Sequence, residues 1–345
     1  MDLSDRPSLD QMLLNDWQRD FPLSEAPFAD IAHECGSSES LVLATYRTLI
    51  DEGSISRIGG IWGAGAGGAA MLCALAVPAQ RLEEVAVMVN SQDGVNHNYE
   101  REHHYNLWFV VTGLDRVDIH AQVDHIEHLS GLIALRLPMV RPYRIDLGFD
   151  LRQTSVPTHP AEHLPCTHHK AQPVAENERQ LAALVEHGLP MVSHPYQWWA
   201  TQLQWPHARV IDTLRRWSDQ GTLRRFGAIV RHHDLGIRAN AMTVIDVPDD
   251  EVDDAGRRLA AQAGVTLCYR RQRHPQWRFN LYFMVHGQCR QAVSQVIDSA
   301  VNLAGLAHHP RQSLFSGQRF KQTGGRYFRQ PGSVANKEAS CVHTA

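Results

Sequence analysis

The sequence predicts an α+β protein built from two tandem repeats, each with three short helices followed by a four-stranded sheet domain. Three observations predict this fold. Related motifs occur in the same order in both halves of the 345 residues, and each half opens with helical periodicity. Each half then continues with segments in the order strand, helix, strand, strand, helix, strand. A chain of this length has room for several small domains.

Four pairs of segments carry the internal repeat. In chain order they are DEGSISRIGGIW (51–62) with DQGTLRRFGAIV (219–230), ALAVP (74–78) with VIDVP (244–248), GVNHNYER (94–101) with GVTLCYRR (264–271), and YNLWFVVTG (105–113) with FNLYFMVHG (279–287). The second half carries about four extra residues between its third and fourth segments. Ordered matches of this kind indicate a duplicated structural unit.

Each repeat is predicted to begin with a winged helix-turn-helix. Helical patterns cover 9–21, 27–36 and 37–53 in the first half, and 176–188, 194–204 and 206–221 in the second. Ser38 or Ser40 can cap the third helix, Gly53 can end it with a positive φ, and Pro206 suits a first helical turn. An alternating segment that follows each set of helices is typical of a wing.

The rest of each repeat is predicted to be a ferredoxin-like βαββαβ domain. Strands are expected near 74–78, 95–100, 106–112 and 132–140, with helices over 79–92 and 118–129; the second half repeats this order. The predicted domains are the winged modules 1–62 and 176–230, the sheet domains 63–150 and 231–330, a linker rich in Pro, His and Thr over 151–175, and a disordered tail over 331–345.

Composition narrows the function classes. The formal net charge of -4 argues against a chain built mainly to bind DNA, because neutralising phosphates requires clustered Lys and Arg. The six cysteines include no CxxC pair, so no metal site is expected. The 21 histidines are more than usual, which indicates either acid–base chemistry or a drift in composition. The polar N-terminus and the lack of long apolar runs predict a cytoplasmic protein with no membrane partner.

The predicted order of modules resembles the Lrp/AsnC family of transcriptional regulators, whose sheet domains dimerise and bind small effectors. This resemblance implies, as one alternative, a DNA-binding regulator that senses haem or an amino acid. The first candidate recognition helix (37–53) has one Arg and three acidic residues, which is unfavourable for reading base edges. The second (206–221) is more basic and keeps this alternative open.

Motifs in the sheet domains resemble a narrower family, the siroheme decarboxylases in their fused two-subunit form. The segments that carry this resemblance are 57–63 (RIGGIWG), 97–109 (HNYEREHHYNLWF), 224–228 (RRFGA), 239–242 (ANAM), 268–271 (CYRR), 279–282 (FNLY) and 320–328 (FKQTGGRYF). It covers about residues 1–330. It implies an enzyme that removes CO2 from two acetate side chains of siroheme, giving didecarboxysiroheme in haem or denitrification-haem biosynthesis.

The same resemblance implies no cofactor, since the iron arrives with the tetrapyrrole substrate. It implies an internal pseudo-dimer or a homo-oligomer, with homologous decarboxylase subunits as possible partners. A further alternative is an inactive tetrapyrrole-binding subunit that works beside an active homologue.

A substrate with eight carboxylates requires cations, and the Arg guanidinium suits carboxylates because its fork binds both oxygens. The substrate-binding candidates are Arg57, Arg101, Arg225, Arg271, Arg273, Lys321, Trp108 and His104, the last at a position that the family pattern leaves variable. Aromatic walls for the macrocycle are expected from Trp62, Trp108, Trp277 and Tyr282. The glycines at 63, 65, 67 and 68 are expected to let the backbone approach the ring.

His97, His103 and Tyr99 are the catalytic candidates. Protonating the pyrrolic carbon beside an acetate creates an electron sink, after which CO2 leaves and the exocyclic carbon takes a proton; a histidine suits this acid role. Residues 97, 99, 101 and 103 share one face if the strand is unbroken that far. The second half has Leu267 in place of His97, which places the acid–base chemistry in the first half, although His274 is a second possible acid. A histidine on a strand is more often structural, so the assignment depends on the motif.

Overall fold

The computed structural model describes residues 7–63, 65–145, 171–230 and 239–328. The first repeat comprises α1 (Leu9–Asn15), α2 (Pro27–Cys35), α3 (Glu39–Asp51), β1 (Ile55–Trp62), β2 (Ala69–Leu75), α4 (Leu82–Asn90), β3 (Val95–Arg101), β4 (Leu107–Gly113), α5 (Arg116–Ser130) and β5 (Leu135–Ile145). The second comprises α6 (Arg179–His187), α7 (Pro195–Leu203), α8 (His207–Asp219), β6 (Leu223–Val230), β7 (Ala239–Ile245), α9 (Val252–Ala260), β8 (Val265–Arg271), β9 (Leu281–Gly287), α10 (Arg290–Leu303) and β10 (Arg311–Gln322). The duplicated α+β fold is confirmed.

Local sequence signals explain where several helices begin and end. Ser8 caps α1 and exchanges hydrogen bonds with Gln11, and the Ser38 hydroxyl accepts from the Leu41 N–H at 3.3 Å, so Ser38 rather than Ser40 caps α3. Gly53 follows α3 with a φ of 86°. The first helix stops at Asn15, earlier than the periodicity predicts.

The first three helices of each repeat, α1–α3 and α6–α8, pack around one shared hydrophobic core. Phe226 of β6 lies between the two sets of helices, with its ring 6.2 Å from Phe21 and 6.5 Å from Trp199. The strand that follows each set of helices does not fold back as a separate wing. Instead β1 pairs antiparallel with β6, with Gly59 opposite Gly227, so the helical modules of both repeats form a single unit.

The remaining eight strands close into a barrel in the order β10-β3-β4-β2-β5-β8-β9-β7. Each repeat contributes a ferredoxin-like sheet, and the last strand of each repeat pairs with the other repeat: β5 with β8, and β10 with β3. These two strands run past the expected ends, to 145 and 322, because the extra residues form the ladder between repeats. Barrel closure removes the exposed sheet edges.

The barrel has an outer layer of helices and an interior filled by side chains. Two apolar clusters lie between the sheets and their helices, one in each repeat. A third fills the interior and includes Trp108, Tyr269, Trp277, Tyr282 and Leu314. Trp277 comes from the insertion between β8 and β9, so the extra residues of the second repeat contribute a large side chain to the shared interior.

A C-terminal segment, residues 323–328, connects the barrel to the helical module. The Thr323 N–H donates to the Asn96 carbonyl at 2.7 Å, which continues the pairing of β10 beyond its end. The N–H groups of Tyr327 and Phe328 then donate to the carboxylate of Glu186 on α6, at 2.8 and 3.2 Å. The segment thereby fixes the helical module against one end of the barrel.

Candidate active site

Three polar side chains of β3 face the barrel interior. Directly opposed residues of an antiparallel pair point to the same face, and His97 lies opposite Val110 while Tyr99 lies opposite Trp108. Trp108 belongs to the interior cluster and Val110 packs against it. Arg101, two residues further, places its guanidinium 5.9 Å from the centre of the Tyr99 ring. The row predicted from the period of a strand is therefore present from His97 to Arg101.

His97 lies at the end of the barrel where β10 leaves it. Its ring centre is 6.2 Å from that of Tyr99, and Gln322 is its partner across the β10–β3 ladder. Burial lowers the pKa of His97 to about 4, so the unliganded side chain is neutral at neutral pH. A nearby anion would raise this pKa by favouring the charged imidazolium.

Two buried arginines lie in equivalent positions of the two repeats. Nη1 of Arg101 donates to the Leu314 carbonyl at 2.9 Å, and Nη1 of Arg271 donates to the Leu137 carbonyl at 2.7 Å. Each side chain is 6% exposed. Within the described residues, neither guanidinium forms an ion pair with a carboxylate, and Nε of each is buried without an acceptor.

A buried cation without a counter-ion is costly, and the structure shows the cost at Arg101. Burial lowers the pKa of Arg101 to about 10, although the hydroxyls of Tyr269 and Tyr99 partly oppose the shift. Arg271 stacks over Tyr269 and Tyr282, with its guanidinium carbon 4.5 and 5.8 Å from the two ring centres. Both sites are chemically suited to the carboxylates of a ligand.

His103 does not share the face of His97. Strand β3 ends at Arg101, and the His103 N–H turns back to donate to the Arg101 carbonyl at 2.8 Å. The condition of an unbroken strand is therefore not met. The His103 ring lies 5.2 Å from Trp277, and its Nδ1 accepts from the Tyr105 N–H at 2.9 Å. Burial lowers the pKa of His103.

The neighbours of His103 have mainly packing roles. His104 is exposed and stacks edge-on against Tyr105. Trp108 is buried, and its indole N–H donates to the Tyr105 carbonyl at 2.6 Å, so it is a wall of the barrel interior. Trp277 and Tyr282 also line the interior, and the Trp277 indole donates to the Tyr282 hydroxyl at 2.7 Å. His274 lies in the insertion, where its Nδ1 accepts from the Gln276 N–H.

Arg57 lies at the junction of the barrel and the helical module. Its terminal nitrogens lie against Gly324, where a Cβ atom would come within 2.7 Å of both. Gly324 follows the residue that pairs with Asn96, so Arg57 reaches the same end of the barrel as His97. Burial lowers the pKa of Arg57, and the charge of Glu186 partly offsets this.

Arg225 lies elsewhere. It lines a cavity of about 610 Å³ in the helical module, together with Arg19, Phe21 and Arg215. The structure therefore does not bring Arg225 to the β3 row. Trp62 also belongs to the helical module, where its ring packs 5.3 Å from Trp217 and its indole donates to Glu186 at 3.0 Å. Trp62 is partly buried among side chains of the helical module, away from the β3 row.

Two predicted binding cations, Arg273 and Lys321, have partners within the protein. Arg273 forms ion pairs with Asp246 and Asp249 at 2.7 and 2.5 Å. Lys321 donates to the carbonyls of Asn90 and Gln92 at the C-terminal end of α4, at 2.8 and 3.3 Å. Arg144 donates in the same way to the Ala260 carbonyl of α9, at the equivalent position of the other ladder. Lys321 thus caps a helix on the outer side of the barrel.

The glycine run after β1 contacts protein rather than space for a ligand. A Cβ on Gly67 would come within 2.8 Å of the Phe328 ring, and one on Gly68 within 2.6 Å of Tyr327. Glycine at positions 67 and 68 lets the C-terminal segment approach closely, because any side chain there would clash with Phe328 or Tyr327. Position 64 of this run, the predicted linker from 151 to 170 and residues 231–238 after β6 lie outside the described residues.

Sequence reasoning missed two residues that the structure brings to the β3 row. Arg319 is opposite Tyr99, and Gln322 is opposite His97, both from β10 of the other repeat. The local signal was that Gln322 belongs to the 320–328 motif and that Arg319 is close to its start. Over the described ranges, no three His, Cys, Asp or Glu side chains group as metal ligands. In the same part of the chain, no helix is both long and apolar enough to cross a membrane.

Comparisons with known proteins agree with this architecture. The family model of the AsnC-like ligand binding domain matches residues 66–144 and 234–321, and that of the siroheme decarboxylase NirDL-like HTH domain matches 10–55 and 178–224. The siroheme decarboxylase NirDL subunit of Paracoccus denitrificans is 38% identical over 320 residues, which cover 92% of this chain and 96% of the relative. The chain belongs to the siroheme decarboxylase NirDL family.

Two further relatives describe the family's organisation. The crystal structure of the siroheme decarboxylase NirDL in co-complex with an iron-uroporphyrin III analogue matches with a TM-score of 0.65 at 28% identity, covering 93% of this chain and 94% of that one. The siroheme decarboxylase NirL subunit of Stutzerimonas stutzeri is 48% identical over 149 residues, 43% of this chain and 88% of the relative. A half of this chain thus corresponds to a separate subunit in that organism.

The helical module retains the NirDL-like HTH, but its most basic helix is engaged within the chain. Nη2 of Arg215 on α8 donates to the Leu23 carbonyl at 2.9 Å, and Arg216 forms an ion pair with Glu178 at 2.5 Å. In α3, Nη2 of Arg47 donates to the Met191 carbonyl at 2.6 Å. Arg215 and Arg47 thus connect the two repeats and Arg216 pairs within the second one, roles that compete with contacts to phosphates.

Proposed function

We propose that this chain is a carboxy-lyase that decarboxylates siroheme at two acetate side chains, giving didecarboxysiroheme. The observation that carries the proposal is the polar row of His97, Tyr99 and Arg101 beside the aromatic interior of the barrel. Arg271, the equivalent of Arg101 in the second repeat, is buried in the same barrel. A ligand that presents several carboxylates and a flat apolar body matches both features.

The two buried arginines support carboxylate binding. Each has a buried Nε without an acceptor among the described residues, and each lacks an acidic partner there. A substrate carboxylate would supply the missing counter-charge and the missing acceptor. The interior is packed with aromatic side chains, so the macrocycle lies at the end of the barrel and directs carboxylates inward.

His97 is the proposed proton donor. It is neutral when no ligand is bound because burial lowers its pKa to about 4. When substrate carboxylates bind beside His97, they raise its pKa and favour the imidazolium, so substrate binding itself protonates the acid. His97 then protonates the pyrrolic carbon, the C–C bond to the carboxylate breaks, and its electron pair returns to the ring as CO2 leaves. The exocyclic carbon takes a proton from solvent or a neighbouring group and becomes a methyl group, and the pyrrolic carbon returns its proton to His97, which restores the ring.

Tyr99 is proposed to position the reacting acetate rather than to carry the proton. Burial raises the pKa of Tyr99, so its hydroxyl is a hydrogen-bond donor at neutral pH. His103 lies past the end of the strand, near Trp277, and is proposed to contact a more distant substituent. No protein-bound metal or cofactor is needed in this proposal, because the iron belongs to the substrate.

The test compares His97→Ala with the wild-type chain under anaerobic conditions. Released CO2 and the absorption change on binding siroheme are measured in parallel. The proposal predicts loss of CO2 release with binding retained, whereas His120→Ala, an exposed histidine on α5, should behave as wild type. Full CO2 release by His97→Ala would show that another residue supplies the proton.

A further inference from the structure

Arg319 lies beside the proposed proton donor and comes from the other repeat. It is on β10, directly opposite Tyr99 in the ladder that joins the two repeats, so its side chain is on the same face as that of Tyr99. The side chain is exposed at the end of the barrel. Burial raises the pKa of Tyr99, and the positive charge of Arg319 acts against that shift, which reflects their proximity.

The surroundings leave Arg319 able to bind an anion. Its Nη1 donates to the side-chain oxygen of Gln322 at 3.1 Å, and Gln322 is in turn the ladder partner of His97. Arg319 forms no ion pair with a carboxylate of the described residues, unlike Arg311 on the same strand, which pairs with Asp298 at 2.7 Å. Gln322 therefore holds the guanidinium on the stretch of β10 that pairs with His97 and Tyr99.

The second repeat lacks an equivalent. In the other ladder Pro142 is opposite Tyr269 and Ile145 is opposite Leu267, so Pro142 stands in the place of Arg319 and Leu267 in the place of His97. One end of the barrel thus has a proton carrier and a cation, and the other has two apolar residues. Each arrangement uses one strand from each repeat.

We infer that Arg319 is a substrate-binding residue of the proposed decarboxylation site, which is composed of β3 from the first repeat and β10 from the second and exists once per chain. This inference rests on the proposed function. Arg319 holds a carboxylate that the product retains, next to the acetate that faces His97.

Energetic reasons favour a contact between Arg319 and a carboxylate that the product retains over a contact with the departing carboxylate. The charge of the departing carboxylate disperses as CO2 forms, so a cation fixed on it would stabilise the ground state more than the transition state. A cation on a neighbouring carboxylate anchors the ring without that penalty. Such an anchor is formed equally with substrate and product.

The test measures binding of siroheme and of didecarboxysiroheme, the latter made with an active relative, to wild type, Arg319→Ala and Arg319→Lys. Loss of a charge-assisted hydrogen bond predicts affinities about tenfold or more weaker for both ligands in Arg319→Ala, with partial recovery in Arg319→Lys. Turnover should show a raised KM. Arg311→Ala is the matched control, because it removes an exposed arginine of the same strand and should leave both affinities unchanged.

Three results would overturn the inference. Unchanged affinity for both ligands would exclude a contact with Arg319, and weaker binding of siroheme alone would mean that Arg319 holds the departing group. Equal loss of affinity in Arg311→Ala would indicate a general effect on the strand. Since these are binding measurements, they are independent of CO2 release: a wild-type chain that binds both ligands without turnover contradicts the proposed function and leaves the test of Arg319 intact.

Discussion

Arg101 donates a hydrogen bond to the main-chain carbonyl of Leu314 at 2.9 Å and so joins the first repeat to the last strand of the second. Arg271 makes the same contact in reverse, to Leu137 at 2.7 Å. The duplication therefore places two buried cations within one barrel, and the repeats depend on each other for their surroundings. This arrangement explains why a ligand with several carboxylates suits the shared interior.

Replacing Arg101 with Met should weaken siroheme binding with little change in the stability of the fold. The substitution removes a buried charge without a counter-ion, at the cost of one hydrogen bond, so the free energy of unfolding should stay within about 1–2 kcal/mol of wild type. Affinity for siroheme should fall about tenfold or more, because a charge-assisted contact is lost. Urea unfolding and absorption titration measure the two quantities. A large loss of stability with unchanged affinity would mean that Arg101 serves only to join the repeats.

Siroheme binding should be coupled to proton uptake. His97 has a pKa of about 4 in the unliganded chain, and substrate carboxylates should raise this pKa, so at pH 6 the complex should bind up to about one more proton than the free chain. Calorimetric titration in two buffers of different ionisation enthalpy gives this number. His97→Gln should abolish most of the uptake. The same uptake in His97→Gln would assign it to another group.

Glu186 should make stability depend on pH. Burial raises the pKa of Glu186 to about 7 in the folded chain, against a usual 4.5 for an exposed carboxyl. Between these values the folded chain binds more protons than the unfolded chain, so the contribution of Glu186 to stability falls as pH rises from about 4.5 to about 7.

Glu186→Gln removes this titration and keeps an oxygen that can accept from the Tyr327 N–H. As pH rises from 4.5 to 8, the stability of the variant relative to wild type should increase: the difference in free energy of unfolding, variant minus wild type, should rise by on the order of 2–3 kcal/mol. Urea unfolding at both pH values gives the difference of differences, in which other titrating groups cancel. A constant difference would contradict the assigned pKa.

Lys321 should contribute to the stability of the fold and not to the affinity for siroheme. Its ammonium caps α4 through two carbonyls, so Lys321→Met should lower the free energy of unfolding by about 0.5–1.5 kcal/mol. Siroheme affinity should remain that of wild type. Arg144→Met, the equivalent change in the other repeat, should have a similar effect on thermal unfolding. Weakened siroheme binding in Lys321→Met alone would restore its role as a binding residue.

Sequence patterns were sufficient to predict the order of helices and strands, but they did not predict how the two repeats pair with each other. The repeated motifs and helix caps such as Ser38 are local signals, which predict helices and strands directly. The ladders β5–β8, β10–β3 and β1–β6 connect residues of different repeats, and such pairings leave no local pattern. The expected wings therefore proved to be strands that pair with each other.

The candidate site was predictable along one strand and not across strands. The period of β3 correctly placed His97, Tyr99 and Arg101 on one face. A turn after Arg101 moved His103 away from that face. On β10, an irregularity between Arg319 and Lys321 places Arg319 on the face of Tyr99 and Lys321 towards α4, so a simple period of two does not predict that these two cations lie on different faces.

Decarboxylation of siroheme by this chain is measured by anaerobic incubation of the purified chain with siroheme, followed by mass analysis of the extracted tetrapyrrole. We expect a product lighter than siroheme by two CO2 units, formed by the wild-type chain and not by His97→Ala. Recovery of siroheme with its mass unchanged, from a wild-type chain whose absorption titration shows that it binds siroheme, would contradict this expectation.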